Sequence, residues 1–311
     1  MAFLFLGGGL DSLNNSSGSV TEQTTGMDAS FSRCQTNISG STDYAETPAW
    51  TAVQELWLHF YLDENLYASE IVHWMDGTDV VLKLQIASGN YRLYYLSALA
   101  TWTQLGSDVP VSSGAHYFDI YFKSGASGAA GFYYDGVEKW TSSGSYTYST
   151  DVTSVRFQRG SHDLEVSQVA VREASTIGGR VMQGYMSGAG ATTAWTGDYT
   201  SVDEATLNEA DYIYSGTADQ VETFAQTLVG ATTGYVPVAV SVSARAKRGA
   251  TGPQNVQLAL RSGSTNYFSA TKALGLGYTA VQNIWETNPD TGLAFTSSQL
   301  AALQPGVKSI T

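Results

Sequence analysis

The chain has 311 residues, of which 43% are hydrophobic and only 14% charged, and its formal net charge is −13. This composition is typical of a folded globular protein with a polar, sparsely charged surface. The acidic balance excludes a phosphate-binding, nucleic-acid partner, because such binding needs a basic surface. The length predicts two domains, each able to bury a core of its own.

The first apolar stretch, "FLFLGGGL" at residues 3–10, predicts a strand followed by a glycine hinge. It lacks a basic leader region and is too short to span a bilayer. No other apolar run approaches the roughly 18 residues that a membrane-spanning helix needs. We therefore expect neither membrane insertion nor export by a signal peptide. The single cysteine, Cys34, cannot form an intrachain disulfide and is expected to be a small buried hydrophobe.

The segment from residue 53 to residue 97 alternates apolar and polar residues with period two. In "VQELWLHFYL", Leu56, Leu58 and Phe60 share one face of a predicted strand. The next stretches predict two hairpins, one around Asp76-Gly77 with a type I′ turn and one through residues 88–90.

Four further stretches between residues 116 and 173 predict strands, the second of them a hairpin of two: "HYFDIYFK", "GFYYDGVEKW", "VTSVRFQRG" and "LEVSQVAVRE". The pair Asp135-Gly136 accepts positive φ angles and predicts a type I′ hairpin turn. Eight or more antiparallel strands before Ser175 predict two sheets packed face to face.

Beyond Thr176 the composition shifts to Gly, Ala and Thr, which places a domain boundary between residues 174 and 175. The second domain, 175–311, shows the alternating run "VPVAVSVSARAKR", a hairpin around Arg261-Ser262-Gly263 and a short helix over 297–304 that Pro305-Gly306 ends. The predicted fold class is all-β: two antiparallel β-sandwich (jelly-roll) domains with one short helix near the C-terminus.

The order of strands and turns in "FYYDGVEKWTSSGSYTYSTDVTSVRFQRGSHDLEVSQVAVRE" resembles that of laminin-G and concanavalin A-like lectin domains. The resemblance covers roughly residues 1–174. It implies a lectin-like sandwich, a fold shared by sugar binders, protein binders and glycan-cleaving enzymes, so the fold does not decide the function.

Catalytic motifs are lacking in the sequence. Retaining glycosidases need two carboxylates about 5 Å apart on one face, and the stretches "DLE" at 163–165 and "DEATLNE" at 203–209 do not supply the Glu-x-Asp-x-(x)-Glu pattern. We interpret the four histidines as satisfied or exposed strand residues. They are His59, His73, His116 and His162. The sequence therefore predicts a protein that is not an enzyme.

Two kinds of binding site stay open at this stage. Asp76, Asp135 and Asp163 are calcium candidates near loop tips, although each is also a common hairpin or Asx-turn residue. Otherwise no cofactor is required. Four aromatic residues are candidates for stacking on a sugar ring, with cross-strand packing as the alternative: Trp102, Trp140, Tyr94 and Tyr148.

Residues 190–308 resemble a module of structural proteins from tailed bacteriophages, through "WTGDY", "VDEA", "ARAKR", "RSG" and "WETNPDTG". The resemblance implies a virion protein assembled in the host cytoplasm, as a head decoration, neck or tail-fibre component. Its implied partners are other virion proteins, identical copies in a symmetric assembly and host-surface polysaccharide.

Three functions follow as expectations: attachment to host glycans through the lectin-like domain, a purely architectural cement role without glycan binding, and a polysaccharide depolymerase. The first is favoured. Exposed aromatic residues beside a polar groove would support it, whereas burial of those residues would support the architectural role. Paired carboxylates in a groove would support the third.

Overall fold

A computed structural model describes residues 2–15, 19–40, 42–64, 69–97, 101–148, 151–159, 162–230 and 232–311. The fold is almost entirely antiparallel β with one short helix near the C-terminus, which confirms the predicted fold class. Two compact units divide the chain, Met1–Asp28 with Cys34–Val181 and Ala29–Arg33 with Met182–Thr311. The sequence placed this boundary between residues 174 and 175. In the described part of the chain, no helix is long and apolar enough to cross a lipid bilayer.

The first unit contains fifteen described strands, and the chain passes several times between its two sheets. They are β1 (Phe3–Gly7), β2 (Asn14–Asn15), β3 (Val20–Gln23), β4 (Gln35–Ile38), β5 (Tyr44–Glu46), β6 (Glu55–Glu64), β7 (Ser69–Asp76), β8 (Asp79–Ala87), β9 (Asn90–Leu96), β10 (Trp102–Pro110), β11 (Gly114–Lys123), β12 (Gly125–Tyr134), β13 (Val137–Tyr146), β14 (Ser154–Gln158) and β15 (Leu164–Arg172).

The first unit is a sandwich of an eight-stranded and a seven-stranded sheet. The larger sheet has the order β13-β12-β11-β6-β15-β4-β3, with β1 also paired to β15, and the smaller has the order β10-β9-β8-β7-β14-β5-β2. Their facing side chains form one apolar core, to which β6 contributes every second residue, all fully buried: Leu56, Leu58, Phe60 and Leu62. The predicted apolar face of this strand is therefore confirmed.

Two-residue turns close several hairpins of the first unit. Asp135 and Gly136 have φ angles of 52° and 75°, the positive values that a type I′ turn needs. In the hairpin from β7 to β8, however, Asp76 pairs with Asp79 and belongs to the strands, so that Gly77 is the first turn residue. Only Gly77 has a positive φ there, which corrects the predicted Asp76-Gly77 type I′ turn.

The second unit contains a six-stranded sheet and a two-stranded ribbon. Its elements are β16 (Gly184–Thr193), a 3-10 turn (Tyr199–Ser201), β17 (Val221–Leu228), β18 (Val240–Ala246), β19 (Asn255–Ser262), β20 (Thr265–Phe268), β21 (Lys272–Ala273), β22 (Thr279–Trp285), α1 (Ser297–Leu300) and β23 (Gln304–Ile310). The sheet order is β16-β17-β23-β19-β20 with β21 on β19, and β18 pairs with β22. A small apolar core joins the ribbon and the sheet, and Leu300 of α1 packs against it. Its buried residues are Val242, Val256, Leu258, Leu260, Val281, Phe295 and Leu303.

The C-terminal end of the second unit differs from the prediction. Helix α1 ends at Leu300, and Pro305-Gly306 lies inside β23 rather than stopping a helix. Pro305 pairs only with β19, because the β17 ladder begins at Gly306. A Cβ on Gly306 would lie 2.1 Å from the Glu222 carbonyl oxygen, so the glycine permits close packing of the two backbones.

Candidate functional site

The outward side of the eight-stranded sheet carries a continuous set of aromatic and ionisable side chains, which we call the outer face. It arises from strand alternation, because every residue between two core residues points away from the core. The outer face consists of Glu55, Trp57, His59 and Tyr61 from β6, Tyr117, Asp119, Tyr121 and Lys123 from β11, Tyr133 from β12, and Glu165, Ala170 and Arg172 from β15.

Three rings of the outer face lie side by side and form an aromatic platform: Trp57, Tyr121 and Tyr133. The Trp57 ring centroid is 5.0 Å from that of Tyr121 and 5.5 Å from that of Tyr133, with interplanar angles of 31° and 36°. Gly131 lies opposite Tyr121 on β12, and its missing side chain leaves room beside the rings. All three rings are half-buried, which gives a rigid apolar surface for a ligand to contact.

Charged groups border the aromatic platform. The Tyr121 hydroxyl donates to Glu55 Oε1 at 2.9 Å, and Lys123 Nζ lies 3.0 Å from Glu55 Oε2. The Lys123 hydrogen bond lowers the pKa of Glu55, while burial and the Glu55 contact raise the pKa of Tyr121 to about 12. A neutral phenol and an ionised carboxylate therefore lie together at the platform edge at neutral pH, offering a hydrogen-bond donor and an acceptor.

A buried His–Asp pair lies beside the platform. His59 and Asp119 are directly opposite on β6 and β11, each is 1% exposed, and their Nδ1 and Oδ1 atoms are 2.8 Å apart. Because a carboxylate only accepts, His59 Nδ1 is the donor. Among the described residues, His59 Nε2 has no hydrogen-bond partner. The pair thus fixes the imidazole and leaves its second nitrogen uncommitted.

Tyr117 closes the other side of the His–Asp pair. Its ring stacks on His59 at 5.6 Å, and the Arg180 guanidinium lies 3.6 Å from the ring centroid. The hydroxyl donates to Asp28 and accepts from Gln168 Nε2 at 3.1 Å. Burial and then the Asp28 contact raise the Tyr117 pKa. Gln168 lies at the bulge of β15 with a φ of 52°, a strained conformation for a non-glycine residue that is often found at functional sites.

The four aromatic residues suggested by the sequence are not on this face. Trp140 is 8% exposed, stacks on Phe132 and covers Gly106, so it belongs to the core. Its ring lacks the open face that sugar stacking requires. This agrees with the packing alternative for Trp140, because Gly106 leaves space for the indole.

Trp102 and Tyr94 lie together on the outward side of the seven-stranded sheet. Lys83 Nζ is 4.4 Å from the Trp102 ring centroid and 5.8 Å from that of Tyr94, a cation–π arrangement. Trp102 is 36% exposed and Tyr148 49% exposed. Tyr148 lines a shallow depression of its own with Asp79, Val80, Val81 and Leu96. Trp102, Tyr94 and Lys83 form a second aromatic surface, the Trp102 surface.

Glu70 connects Lys83 of the Trp102 surface to His73, and this connection makes the stability of the first unit depend on pH. Its carboxylate contacts Lys83 Nζ and lies 2.9 Å from His73 Nε2, and these contacts, His73 first, lower its pKa from 4.5 to about 2. A depressed pKa means that the contact stabilises the fold above the unfolded pKa and that this contribution is lost as the pH falls toward 2.

Replacing Glu70 by glutamine is therefore expected to lower the melting temperature between pH 5 and 7, with the difference from the parent protein vanishing near pH 2. Thermal melting across this range measures the effect. Asp108→Asn is the matched control, because the exposed Arg92–Asp108 pair contributes little. A pH-independent deficit in Glu70→Gln would contradict the assignment.

The three calcium candidates lie apart from one another. Asp76 ends β7, Asp163 pairs with Arg159 at 3.3 Å, and Asp135 is bonded to His116 and to the Tyr117 backbone. In the described residues, no three His, Cys, Asp or Glu side chains form a group able to hold a metal ion. Calcium binding stays a prediction.

The sequence did not identify the aromatic platform or the His–Asp pair. Alternation places Trp57 and His59 on one side of β6, but their partners on β11 are some 60 residues away. The only local signal was that "ELWLHFYLDE" and "HYFDIYFK" both carry aromatic and ionisable residues at every second position, opposite their apolar ones. The pairing of these strands turns the two patterns into one surface.

No known protein-family model and no curated protein sequence matches the chain. Solved structures with a similar fold include an endo-β-1,4-glucuronan lyase from Trichoderma reesei, with 13% identity over 56% of this chain and 96% of that chain (TM-score 0.43). A carbohydrate esterase from the Shiga toxin-encoding bacteriophage phi24B has 13% identity over 53% and 91% (TM-score 0.37). A mutant of HCR/D has 9% identity over 93% and 98% (TM-score 0.43). At these values the likeness concerns the β-sandwich architecture alone.

These structures correct one prediction. The sequence predicted a protein that is not an enzyme, chiefly because the paired carboxylates of glycosidases are missing. Two of the three structures named above are carbohydrate-active enzymes, a lyase and an esterase. The prediction is therefore wrong: the absence of one carboxylate pattern does not exclude other chemistry on this fold.

Proposed function

We propose that this chain is a glycan-binding component of a tailed-phage virion and that the glycan lies on the aromatic platform of the first unit. The observation that carries the proposal is the side-by-side arrangement of Trp57, Tyr121 and Tyr133 on one sheet face, 5.0–5.5 Å apart. Rings in this arrangement contact the apolar side of a pyranose, while bordering groups such as Glu55 and Lys123 meet its hydroxyls.

The experiment is a titration of host-surface polysaccharide, preceded by a glycan array to find the ligand. Trp57→Ala is expected to weaken binding about tenfold, since a ring contact contributes about 0.5–1.5 kcal/mol beyond its buried area. Tyr212→Ala, an exposed aromatic in the second unit, is the matched control and is expected to bind as the parent protein does.

The Trp102 surface provides the rival location. If Trp102→Ala abolishes binding and Trp57→Ala does not, the platform assignment is wrong and the glycan lies on the seven-stranded sheet. If no glycan binds any variant or the parent protein, the glycan proposal fails and an architectural role in the virion is the better account.

The virion part of the proposal is supported by the resemblance of residues 190–308 to phage structural modules. It predicts that the chain co-purifies with intact particles at a stoichiometry set by their symmetry. Mass spectrometry and labelling of purified virions test this, and absence of the chain from the particles would contradict it. Neither result depends on glycan binding.

A further inference from the structure

The connection before β11 and the turn after β12 bring three side chains into one hydrogen-bonded series. Ser112 Oγ lies 3.0 Å from His116 Nε2, and His116 Nδ1 lies 2.7 Å from Asp135 Oδ2. A hydroxyl, an imidazole and a carboxylate joined in this order are the components of a serine nucleophile, its general base and the group that orients the base.

The carboxylate is held in place by the backbone. Asp135 N donates to the Tyr117 carbonyl at 2.8 Å, and Asp135 Oδ1 accepts from Tyr117 N at 2.9 Å. Oδ2 thus remains for the imidazole. The positive φ of Asp135 is needed for this arrangement at the hairpin turn. Because Asp135 only accepts, His116 Nδ1 carries the proton and Nε2 faces Ser112 as the acceptor.

Tyr134 completes the arrangement. Its ring packs against His116 with centroids 4.5 Å apart, and its hydroxyl lies 2.7 Å from Ser112 Oγ. The same ring contacts Phe118 and Tyr91 in the core, so the hydroxyl is carried by a fixed side chain. With Ser112 Oγ donating to His116 Nε2, the Tyr134 hydroxyl is the donor to Ser112 Oγ, so an ester carbonyl attacked by Ser112 would lie next to this donor.

We propose that Ser112, His116 and Asp135 form an acyl-transfer site that hydrolyses short-chain carboxylic esters. Ser112 is the nucleophile, His116 the general base, Asp135 the positioning residue and Tyr134 the donor to the developing oxyanion. Ser112 is exposed and Asp135 is 46% exposed. This surface position fits an acetyl-sized acyl group on a larger alcohol, whereas a long acyl chain would need an apolar pocket.

The reaction balances without a cofactor. Ser112 Oγ attacks the ester carbonyl carbon as its proton passes to His116 Nε2, and the C–O bond to the alcohol breaks as that proton is returned to the leaving oxygen. Water then attacks the acyl-serine, giving one proton to His116 and releasing the carboxylic acid as Ser112 recovers its proton. This activity is independent of the proposed glycan binding.

The test uses the full chain with 4-nitrophenyl acetate and, separately, a fluorophosphonate that labels activated serines. Ser112→Ala and His116→Ala are each expected to lower kcat/KM about 100-fold or more, and the double variant no further, because the groups act as a unit. Tyr134→Phe, which keeps the ring, is expected to lower kcat about tenfold or more. Asp135→Asn is expected to lower kcat while leaving KM unchanged, since Asp135 does not touch the substrate.

Ser113→Ala and His162→Ala are the matched controls and are expected to keep full activity. The fluorophosphonate is expected to attach to Ser112, as located by peptide mass spectrometry. Hydrolysis that persists in Ser112→Ala would assign it to a surface imidazole and overturn the proposal, as would an unlabelled Ser112 in a protein whose circular dichroism is native. If Ser112→Ala loses both its activity and its native spectrum, the variant itself does not test the proposal. Labelling of the parent protein then decides: attachment at Ser112 supports the proposal, and its absence overturns it.

Discussion

Replacing His59 by leucine is expected to lower the free energy of unfolding by about 3–5 kcal/mol at neutral pH. His59 and Asp119 are each 1% exposed and are bonded at 2.8 Å. Leucine removes the donor and leaves the Asp119 carboxylate buried without its partner, which costs more than the hydrogen bond itself contributes. Urea unfolding followed by tryptophan fluorescence measures the change, since five of the seven tryptophans lie in the first unit.

The double variant His59→Leu, Asp119→Leu separates a lost contact from an uncompensated charge. It is expected to be more stable than His59→Leu alone, because two apolar groups replace both partners. If the effects of His59→Leu and Asp119→Leu simply add in the double variant, the two side chains do not interact and the pairing is contradicted.

Replacing Gly106 by alanine is expected to destabilise the first unit by about 2–5 kcal/mol. Gly106 has a φ of 63°, and a Cβ there would lie 2.1 Å from the Trp140 ring. The left-handed backbone costs a non-glycine residue about 1–2 kcal/mol, and displacing a packed indole adds about 1–3 kcal/mol.

Gly77→Ala is the matched control for this prediction. Gly77 has a φ of 59° but nothing within 4 Å of its Cβ position, so it reports the backbone cost alone. The difference between the two variants in chemical denaturation measures the contact between Trp140 and Gly106. Equal costs would mean that the Trp140 ring moves aside without loss.

Local patterns predicted the fold well. The apolar face of β6 follows from period-two alternation at Leu56, Leu58 and Phe60, and the Asp135-Gly136 turn follows from two adjacent residues that accept positive φ. Both depend on neighbours in sequence, so they can be read without the tertiary structure. The hairpin around Gly77 was shifted by one residue, because either Asp76 or Gly77 suits the first turn position and cross-strand register decides between them.

Features set by distant contacts could not be predicted in the same way. Pro305-Gly306 has the composition of a stop signal, yet the Glu222 backbone and β19 make it part of a central strand. The sequence left open whether Trp140 stacks on a ligand or packs across strands, because the glycine that makes room for its ring, Gly106, lies on another strand of the sandwich. The partners of His59 and His116 are likewise fixed by strand pairing and turn geometry rather than by spacing along the chain.

The position of β15 has a consequence for synthesis. This strand lies between β6 and β1, and Leu6 finds its partner at Ala170. On a ribosome that adds about 5–20 residues per second, β1 waits roughly 8–30 s for that partner to be made. During this interval the nascent chain lacks the partner of "FLFL" and of one edge of β6, and unpaired strand edges of this kind are prone to pair with other chains. The first unit is therefore expected to complete its larger sheet only after β15 has been synthesised. Slower translation before residue 160 would lengthen the time for which β1 and β6 lack this partner.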